Sequence, residues 1–348
     1  MIRERWYAIL EAKKVLKNKP IAIKRMGEDL VLWRGPSGKI VCMPDRCSHR
    51  GSVLSDGRIE GNCLECPWHG FQFDESGRCT LIPANGKSKP VPRAFDLQKY
   101  IVREEHGFVW LWWGRPRDVL PELPWFEEIP RTAKNSYTSI LEWKVSFERV
   151  MESMLDMHHF PFLHRKIKPR PGPLMDPYHA EINGDVIKTW GHLRHDDGKS
   201  VEESPGVYFM MEVHFPAVLF MEMTPKLHLL CVSAPIDDKS TWLALTYWQS
   251  YVKAPIIGTF LAWISAWIEL KWVHPDDEVM LHKASPQHPV PGSYRFIHAD
   301  KGVALWLQHM YKQTAQDSPV LSEAEVEVAA EVPVASNGQK KHAHSSTR

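Results

Sequence analysis

Two short segments of the chain each pair a cysteine with a histidine. The first carries Cys47 and His49, and the second carries Cys66 and His69. Zinc sites with two cysteines and two histidines usually group like with like, whereas here each segment supplies one ligand of each kind. This mixed pairing suits a [2Fe–2S] cluster in which one iron takes both thiolates and the other takes both imidazoles. The sequence therefore predicts an iron–sulfur site, and a zinc ribbon is the alternative.

The imidazoles of such a cluster set its redox behaviour. They replace two anionic thiolates, which lowers the negative charge on the cluster and raises its reduction potential. We therefore expect the site to accept electrons from an ordinary ferredoxin. Cys63 forms a Cys-x-x-Cys pair with Cys66, but no thioredoxin-like βαβ pattern surrounds the pair, so Cys63 is predicted to be structural.

A second group of metal-binding side chains lies between residues 152 and 164. Helical spacing would place Asp156 and His159 on one face, because they are three positions apart. His159 and His164 are five positions apart, so they can meet at one ion only if the helix breaks, and Pro161 supplies the break. A surface helix with chance histidines is the alternative, since the chain contains 18 of them.

A carboxylate later in the chain completes a set of three ligands. Two histidines and a carboxylate, with other positions left open, are typical of ferrous sites that activate oxygen. The acidic side chains at Asp276 and Asp277 open a helix-like segment after Pro275. Either of them is a candidate for the third ligand.

The two Cys-His segments, within 45–51 and 66–73, resemble the Rieske domain of the Rieske non-heme iron oxygenases. The order Cys-His, Cys-His, His-His and Asp along one chain also resembles that family. The resemblance implies an assignment of ligands: a [2Fe–2S] cluster on Cys47, His49, Cys66 and His69, and a mononuclear Fe²⁺ on His159, His164 and Asp277, with O2 as cosubstrate.

The resemblance also gives Asp156 a role. In this family an aspartate at that place bridges a cluster histidine of one subunit to an iron histidine of its neighbour, so a homotrimer is expected. A carboxylate that accepts an imidazole N–H fixes the tautomer of the ligand. This chain has Ser153 where many relatives have Asn. His158 is expected to point away from the iron.

The patterning predicts an α+β protein of two domains. Residues 1–115 read as an all-β Rieske domain, because short runs of β-branched and aromatic residues alternate with turn residues. Residues 116–312 read as a catalytic domain with an antiparallel sheet and helices, similar to a helix-grip fold, and 116–136 is a Pro-rich linker. The polar residues 313–348 are predicted to be a disordered tail.

Local patterns place several elements of the second domain. A helix is predicted from Phe147 to His159, and strands are predicted around 206–250. Further helices are predicted at 256–272 and 276–284.

The expected function is that of a terminal oxygenase that monooxygenates or oxidatively demethylates an organic substrate. No Gly-x-Gly-x-x-Gly follows a strand, so a separate NAD(P)H-dependent reductase, with or without a ferredoxin, must supply the electrons. A Rieske electron carrier or redox sensor without oxygenase activity is the alternative. The formal net charge of +1 provides no field for binding nucleic acid.

The apolar segment 254–272 bears on the substrate and the location. It reads either as a core helix or as the wall of a pocket for a lipophilic substrate, docked at a membrane surface. Five tryptophans are expected on the substrate side of the iron: Trp242, Trp248, Trp263, Trp267 and Trp272. The start of the chain has no secretory signal pattern, so a cytoplasmic protein is expected, with peripheral membrane contact as an option.

Overall fold

The computed structural model describes residues 1–126, 129, 135–168 and 170–317. The last helix runs to Asp317, and the rest of the predicted tail, 318–348, lies outside the described residues.

The first part of the chain folds into three small antiparallel sheets. Their strands are β1 (Arg5–Glu11), β2 (Ile21–Arg25), β3 (Glu28–Arg34), β4 (Ile40–Pro44), β5 (Arg58–Glu60), β6 (Cys63–Glu65), β7 (Gln72–Phe73), β8 (Cys79–Leu81), β9 (Val102–Glu105) and β10 (Phe108–Trp113). The strand orders are β1-β10-β9, β2-β3-β4 and β5-β6-β7-β8. The β2–β3 turn has two residues with positive φ, Met26 and Gly27, which suits the right-handed twist of a hairpin.

The second part is built on one antiparallel sheet of seven strands in the order β11-β17-β16-β15-β14-β13-β12. The strands are β11 (Ser136–Trp143), β12 (Leu174–Asn183), β13 (Val186–Arg194), β14 (Val207–His214), β15 (Val218–Thr224), β16 (Leu227–Pro235) and β17 (Thr241–Gln249). The helices are α1 (Phe147–Leu155), α2 (Phe160–Leu163), α3 (Pro255–Trp272), α4 (His274–Lys283) and α5 (Lys301–Asp317). Helix α3 packs on β11 and β17, and α1 packs against α4 and α5. The predicted α+β architecture is confirmed.

One hydrophobic core joins the two parts. It runs from Trp6 and Trp110 in the first part to Trp143 and Trp306 in the second, and all four side chains are almost fully buried. Burying a large apolar side chain contributes about 1.5–3 kcal/mol, so these rings hold the two parts together. A second, smaller core lies beneath the Cys-His segments and includes Trp33.

The helix predicted from Phe147 to His159 ends earlier than expected. Helix α1 stops at Leu155, because Asp156 adopts an extended backbone with φ −92° and ψ 123°. The Asp156 side chain then accepts the backbone N–H of His158 at 2.8 Å and of His159 at 3.3 Å. An aspartate that binds its own following backbone competes with the helix in this way.

The helix therefore ends before both histidines, and not between them as the sequence indicated. Pro161 lies in the first turn of α2, where its missing N–H costs nothing, and does not interrupt a longer helix. The strands predicted around 206–250 and the helices at 256–272 and 276–284 correspond to β14–β17, α3 and α4.

Candidate metal centres

The two Cys-His segments form loops with the same backbone hydrogen bonds. The carbonyl of Cys47 accepts the N–H of Gly51 at 2.9 Å, and the carbonyl of Cys66 accepts the N–H of Gly70 at 3.1 Å. Each cysteine N–H also donates to the carbonyl five residues further on, at 2.8 Å in both loops. Both glycines have positive φ, +75° and +70°, a conformation that side chains rarely adopt. The repeated geometry presents two similar ligand loops to one site.

The cysteines of these loops are buried and the histidines are exposed. Cys47 and Cys66 are 3% and 2% exposed, whereas His49 and His69 face solvent. The imidazole of His49 stacks on Phe71 with 4.6 Å between centroids and meets His69 edge-on at 4.8 Å. A cluster held here would have its imidazole iron at the surface and its thiolate iron inside.

The donor set fits a [2Fe–2S] cluster. Burial raises the pKa of the Cys47 thiol to about 11, and the Cys66 thiol lies next to it. The Cys47 thiol therefore stays protonated at neutral pH unless a positive charge stabilises its thiolate, and iron would supply that charge. The residues required by the cluster are therefore present and suitably placed.

The choice between Cys63 and Cys66 has a direct test. Cys66→Ser is expected to remove the visible absorbance of the iron–sulfur cluster, because a buried thiolate ligand is lost. Cys63→Ser is the matched control, since Cys63 lies on β6 with its Sγ 3.4 Å from Thr80 Oγ1, and it should keep the full spectrum. Equal loss in both variants would show that the cluster does not depend on Cys66 in particular.

The structure brings three candidate ligands of the second group close together: His159, His164 and Asp277. His159 and His164 flank α2, and Asp277 lies in the first turn of α4. The Nε2 atoms of the two histidines are 3.3 Å apart. Asp277 Oδ1 is 3.1 Å from His164 Nε2 and 3.6 Å from His159 Nε2. Asp276, the alternative ligand, is not part of this group.

These three ligand atoms fit a bound metal ion. Bonds of about 2.1 Å that meet at 90–110° place ligand atoms roughly 3.0–3.4 Å apart, close to the distances found here. Among the described residues, Asp277 Oδ1 and His164 Nδ1 are buried without a hydrogen-bond partner. Buried polar atoms of this kind normally have partners, and an ion would satisfy the carboxylate oxygen.

Asp156 orients one of these histidines. Its Oδ2 lies 3.2 Å from Nδ1 of His159, so that nitrogen is held as the N–H donor and Nε2 is free to bind a metal. Burial opposes the ionisation of Asp156, yet the hydrogen bond from His159 holds the pKa of the carboxyl below its usual value.

A cleft of about 660 Å³ opens at the same place. Helices and loops form its walls, and none of its lining residues belongs to a strand of the large sheet. Asp156, His159 and Asp277 all line it. The cleft therefore connects the protein surface with Asp156 and with two of the three candidate ligands, His159 and Asp277, whereas His164 is buried behind them.

Comparisons with known proteins agree with this arrangement. The family model described as "Rieske [2Fe-2S] domain" matches residues 5–100. The chain is 31% identical over 238 residues to the methylxanthine N1-demethylase NdmA of Pseudomonas putida, which covers 64% of each chain. It is 38% identical over 124 residues to the aminopyrrolnitrin oxygenase PrnD of Pseudomonas fluorescens, 34% of each chain. The chain thus spans less than two thirds of the length of these curated relatives.

The solved structure of dicamba monooxygenase bound to 3,6-dichlorosalicylic acid has the same fold. Its TM-score is 0.70 at 18% identity, and the match covers 91% of this chain and 98% of that one. The chain contains a Rieske [2Fe–2S] domain, and over part of its length it is similar to the demethylase and the oxygenase named above. The match at residues 5–100 supports a [2Fe–2S] cluster on the two Cys-His loops, and His159, His164 and Asp277 could hold a metal ion.

The contact between His158 and Asp300 is a feature of the site that the sequence did not predict. His158 does not join the three ligand residues, but its Nε2 lies 2.8 Å from Asp300 Oδ1 and 3.5 Å from Asp156 Oδ1. Asp300 also lines the cleft. No signal in the sequence pairs His158 with Asp300, because they are 142 residues apart. The contact of His158 with Asp156 could have been predicted, because the two residues are two positions apart.

The expectation for the five tryptophans is wrong. Trp242 is buried in β17 under Arg25, and Trp248 stacks on His228. The other three lie on the outer side of α3 and are partly exposed. None of the five lines the cleft at Asp277. Tryptophan contacts therefore give no support for a lipophilic substrate at this cleft.

Proposed function

We propose that this chain is a terminal oxygenase that uses O2 and externally supplied electrons to hydroxylate or oxidatively demethylate an organic substrate. The observation that carries the proposal is the convergence of His159, His164 and Asp277 in a chain that also holds the Rieske loops. An electron carrier needs the Rieske loops alone. It has no use for a second, three-ligand metal site.

In the proposed reaction, the substrate C–H bond, O2, two electrons and two protons give a C–OH group and one water. When the substrate carbon is an N- or O-methyl group, the hydroxylated product loses formaldehyde, which is demethylation. A ferrous ion with two histidines, one carboxylate and open positions supplies the binding and reduction of O2.

The residues of this chain supply the setting for that chemistry. We assign His159, His164 and Asp277 as the ligands of the ion, and Cys47, His49, Cys66 and His69 as the ligands of the cluster. Asp156 holds the His159 imidazole in one tautomer through its contact with Nδ1. Burial of His164 and Asp277 keeps bulk water away from one side of the site.

We propose a homotrimer in which Asp156 links one subunit to the cluster of its neighbour. His49 and His69 are exposed at the tip of the Rieske loops, and Asp156 is accessible in its cleft. In the described part of the chain, the rings of His49 and His69 stack only on residues of the first part, Phe71 and Trp68. Electrons would enter the cluster from a separate NAD(P)H-dependent reductase, with or without a ferredoxin.

For the substrate we propose a small, largely apolar organic molecule. Two similar proteins are named after their substrates, a methylxanthine demethylase and a dicamba monooxygenase. Both substrates are small ring compounds. This favours monooxygenation or demethylation over cis-dihydroxylation of an arene.

We further propose that the Rieske domain spans 1–115 and the catalytic domain 116–312, with 116–136 as the linker. The family match at 5–100 and the start of β11 at Ser136 support these limits. We place the enzyme in the cytoplasm.

The iron content of the purified protein separates the oxygenase from the electron carrier. We expect about three irons per chain, two in the cluster and one in the mononuclear site. After reconstitution with ferrous iron, a value that stays at about two would contradict the oxygenase and favour the carrier. Zinc in place of iron, with no visible absorbance, would contradict both.

A further inference from the structure

Helix α3 is arranged with its small side chains inward and its large apolar side chains outward. Gly258, Ala262 and Ala266 are buried against the sheet. A Cβ added at Gly258 would lie 2.5 Å from Gln249 Nε2, so the helix approaches the sheet too closely for a larger residue. The small face of the helix is therefore buried against the sheet, and the large apolar side chains on the opposite face are exposed.

The outward face is a continuous aromatic stripe. Phe260, Trp263 and Trp267 follow one another at helical spacing and are 55%, 40% and 42% exposed. The rings of Phe260 and Trp263 stack with 5.6 Å between centroids. Ile256, one turn before Phe260, is 87% exposed. We call Ile256, Ile257, Phe260, Trp263, Trp267 and Trp272 the outer face of α3.

An exposed lysine lies at each end of the outer face. Lys253 precedes the helix and Lys271 ends it, and both are exposed. The Lys271 ammonium lies 4.9 Å from the Trp267 ring centroid and 5.7 Å from that of Trp272. Glu269 is the single acidic residue of α3, and it lies on the inward side with Ala262 and Ala266. The outer face therefore presents apolar rings flanked by cations.

We propose that the outer face of α3 docks the enzyme on the surface of a bilayer containing anionic lipids, with the helix parallel to the membrane. Tryptophan and phenylalanine beside lysines are typical of helices that lie at the lipid interface, where the rings sit at headgroup depth and the cations meet anionic headgroups. The stretch Pro255–Lys283 is long and apolar enough to cross a membrane by length and composition, but only 22% of its most apolar 18 residues are buried in the protein. A core helix would be mostly buried. Because α3 packs on the sheet along one face, we place it on the membrane surface and not across the membrane.

A second copy of the chain fits this face less well. A helix of 18 residues is about 27 Å long, so a stripe about 10 Å wide offers roughly 270 Å², against about 800 Å² per partner in a stable interface. The cleft that exposes Asp156 includes no residue of α3. The proposed trimer contact at Asp156 and the outer face are thus different surfaces.

Flotation of the purified holoenzyme with vesicles tests the proposal without substrate or electron donor. The wild type is expected to float with phosphatidylcholine vesicles that contain phosphatidylglycerol, and less with phosphatidylcholine alone. The double variant Trp263→Ser/Trp267→Ser should lose binding about tenfold or more, because it removes the rings that enter the interface. Lys253→Glu/Lys271→Glu should lose the preference for the anionic vesicles.

Tyr208→Ser is the matched control, since Tyr208 is an exposed aromatic residue on β14, away from the β11 and β17 strands that carry α3. It should float as the wild type does, and the visible absorbance of the cluster reports that each variant is folded. A wild type that does not float with anionic vesicles overturns the proposal. So does a smaller molecular mass of the Trp263→Ser/Trp267→Ser variant in the absence of lipid, because a second copy would then cover the face. Neither result bears on the oxygenase activity.

Discussion

Asp277→Ala is expected to remove the mononuclear iron and to lower turnover by more than about 100-fold, while the Rieske cluster stays intact. Loss of a residue that merely supports a metal ligand already costs 10–100-fold, and Asp277 is assigned as a ligand itself. Its side chain is 9% exposed, and its Oδ1 lies within 3.6 Å of both histidine Nε2 atoms. The iron content should fall from about three per chain to about two, with an unchanged visible spectrum.

Asp276→Ala is the matched control for this prediction, because Asp276 is the neighbouring acid on α4 and stands outside the ligand group. It should retain the third iron and most of the activity. If Asp276→Ala lost the iron and Asp277→Ala kept it, the assignment of the carboxylate ligand would be reversed.

Asp156→Asn is expected to lower turnover by about 100-fold without loss of either metal centre. The carboxylate holds the N–H of His159 Nδ1 and is accessible at the surface that the proposed trimer buries. Asparagine has nearly the same shape but carries no charge, so the backbone contacts to His158 and His159 persist while the charged contact to the imidazole is lost. Rapid mixing of the reduced protein with O2 and substrate should show slow reoxidation of the cluster.

The appropriate comparison is Asp300→Asn, which changes a carboxylate in the same cleft that contacts His158 in place of His159. We expect it to lower turnover less than about tenfold, because it reaches the ligand only through other residues. Cluster reoxidation at the wild-type rate in Asp156→Asn would exclude Asp156 as the link between subunits.

The grouping of candidate ligands within each loop could be predicted from the sequence, because the residues of each group lie in one short segment. Cys47 and His49 lie in one turn, and the same holds for Cys66 and His69. His159 and His164 likewise flank a single short helix. Residue type and spacing then determine which atoms meet, with little influence from the rest of the fold.

The features that were missed depend on tertiary structure. The early end of α1 follows from the side chain of Asp156 binding its own backbone, which competes closely with helix formation. The contact of His158 with Asp300 joins α1's end to the start of α5, and no periodicity indicates it. The tryptophans were expected near the iron because they precede Asp277 in the sequence, but nearness in sequence does not determine which way a side chain points. Trp242 and Trp248 lie on β17. Helix α3 buries Gly258, Ala262 and Ala266 and turns the other three rings outward.

We expect an oxygen atom from O2 to enter the substrate. The most direct measurement is a single turnover of the reduced, fully iron-loaded protein under ¹⁸O2 with a panel of small aromatic and C-methyl compounds, followed by mass spectrometry of the hydroxylated product. For N-methyl and O-methyl compounds the amount of formaldehyde is measured instead, because its oxygen exchanges with water. We expect one ¹⁸O atom in the hydroxylated product, two electrons consumed, and no product from Asp277→Ala. A hydroxylated product whose new oxygen comes from water, or equal product from Asp277→Ala, would contradict this expectation.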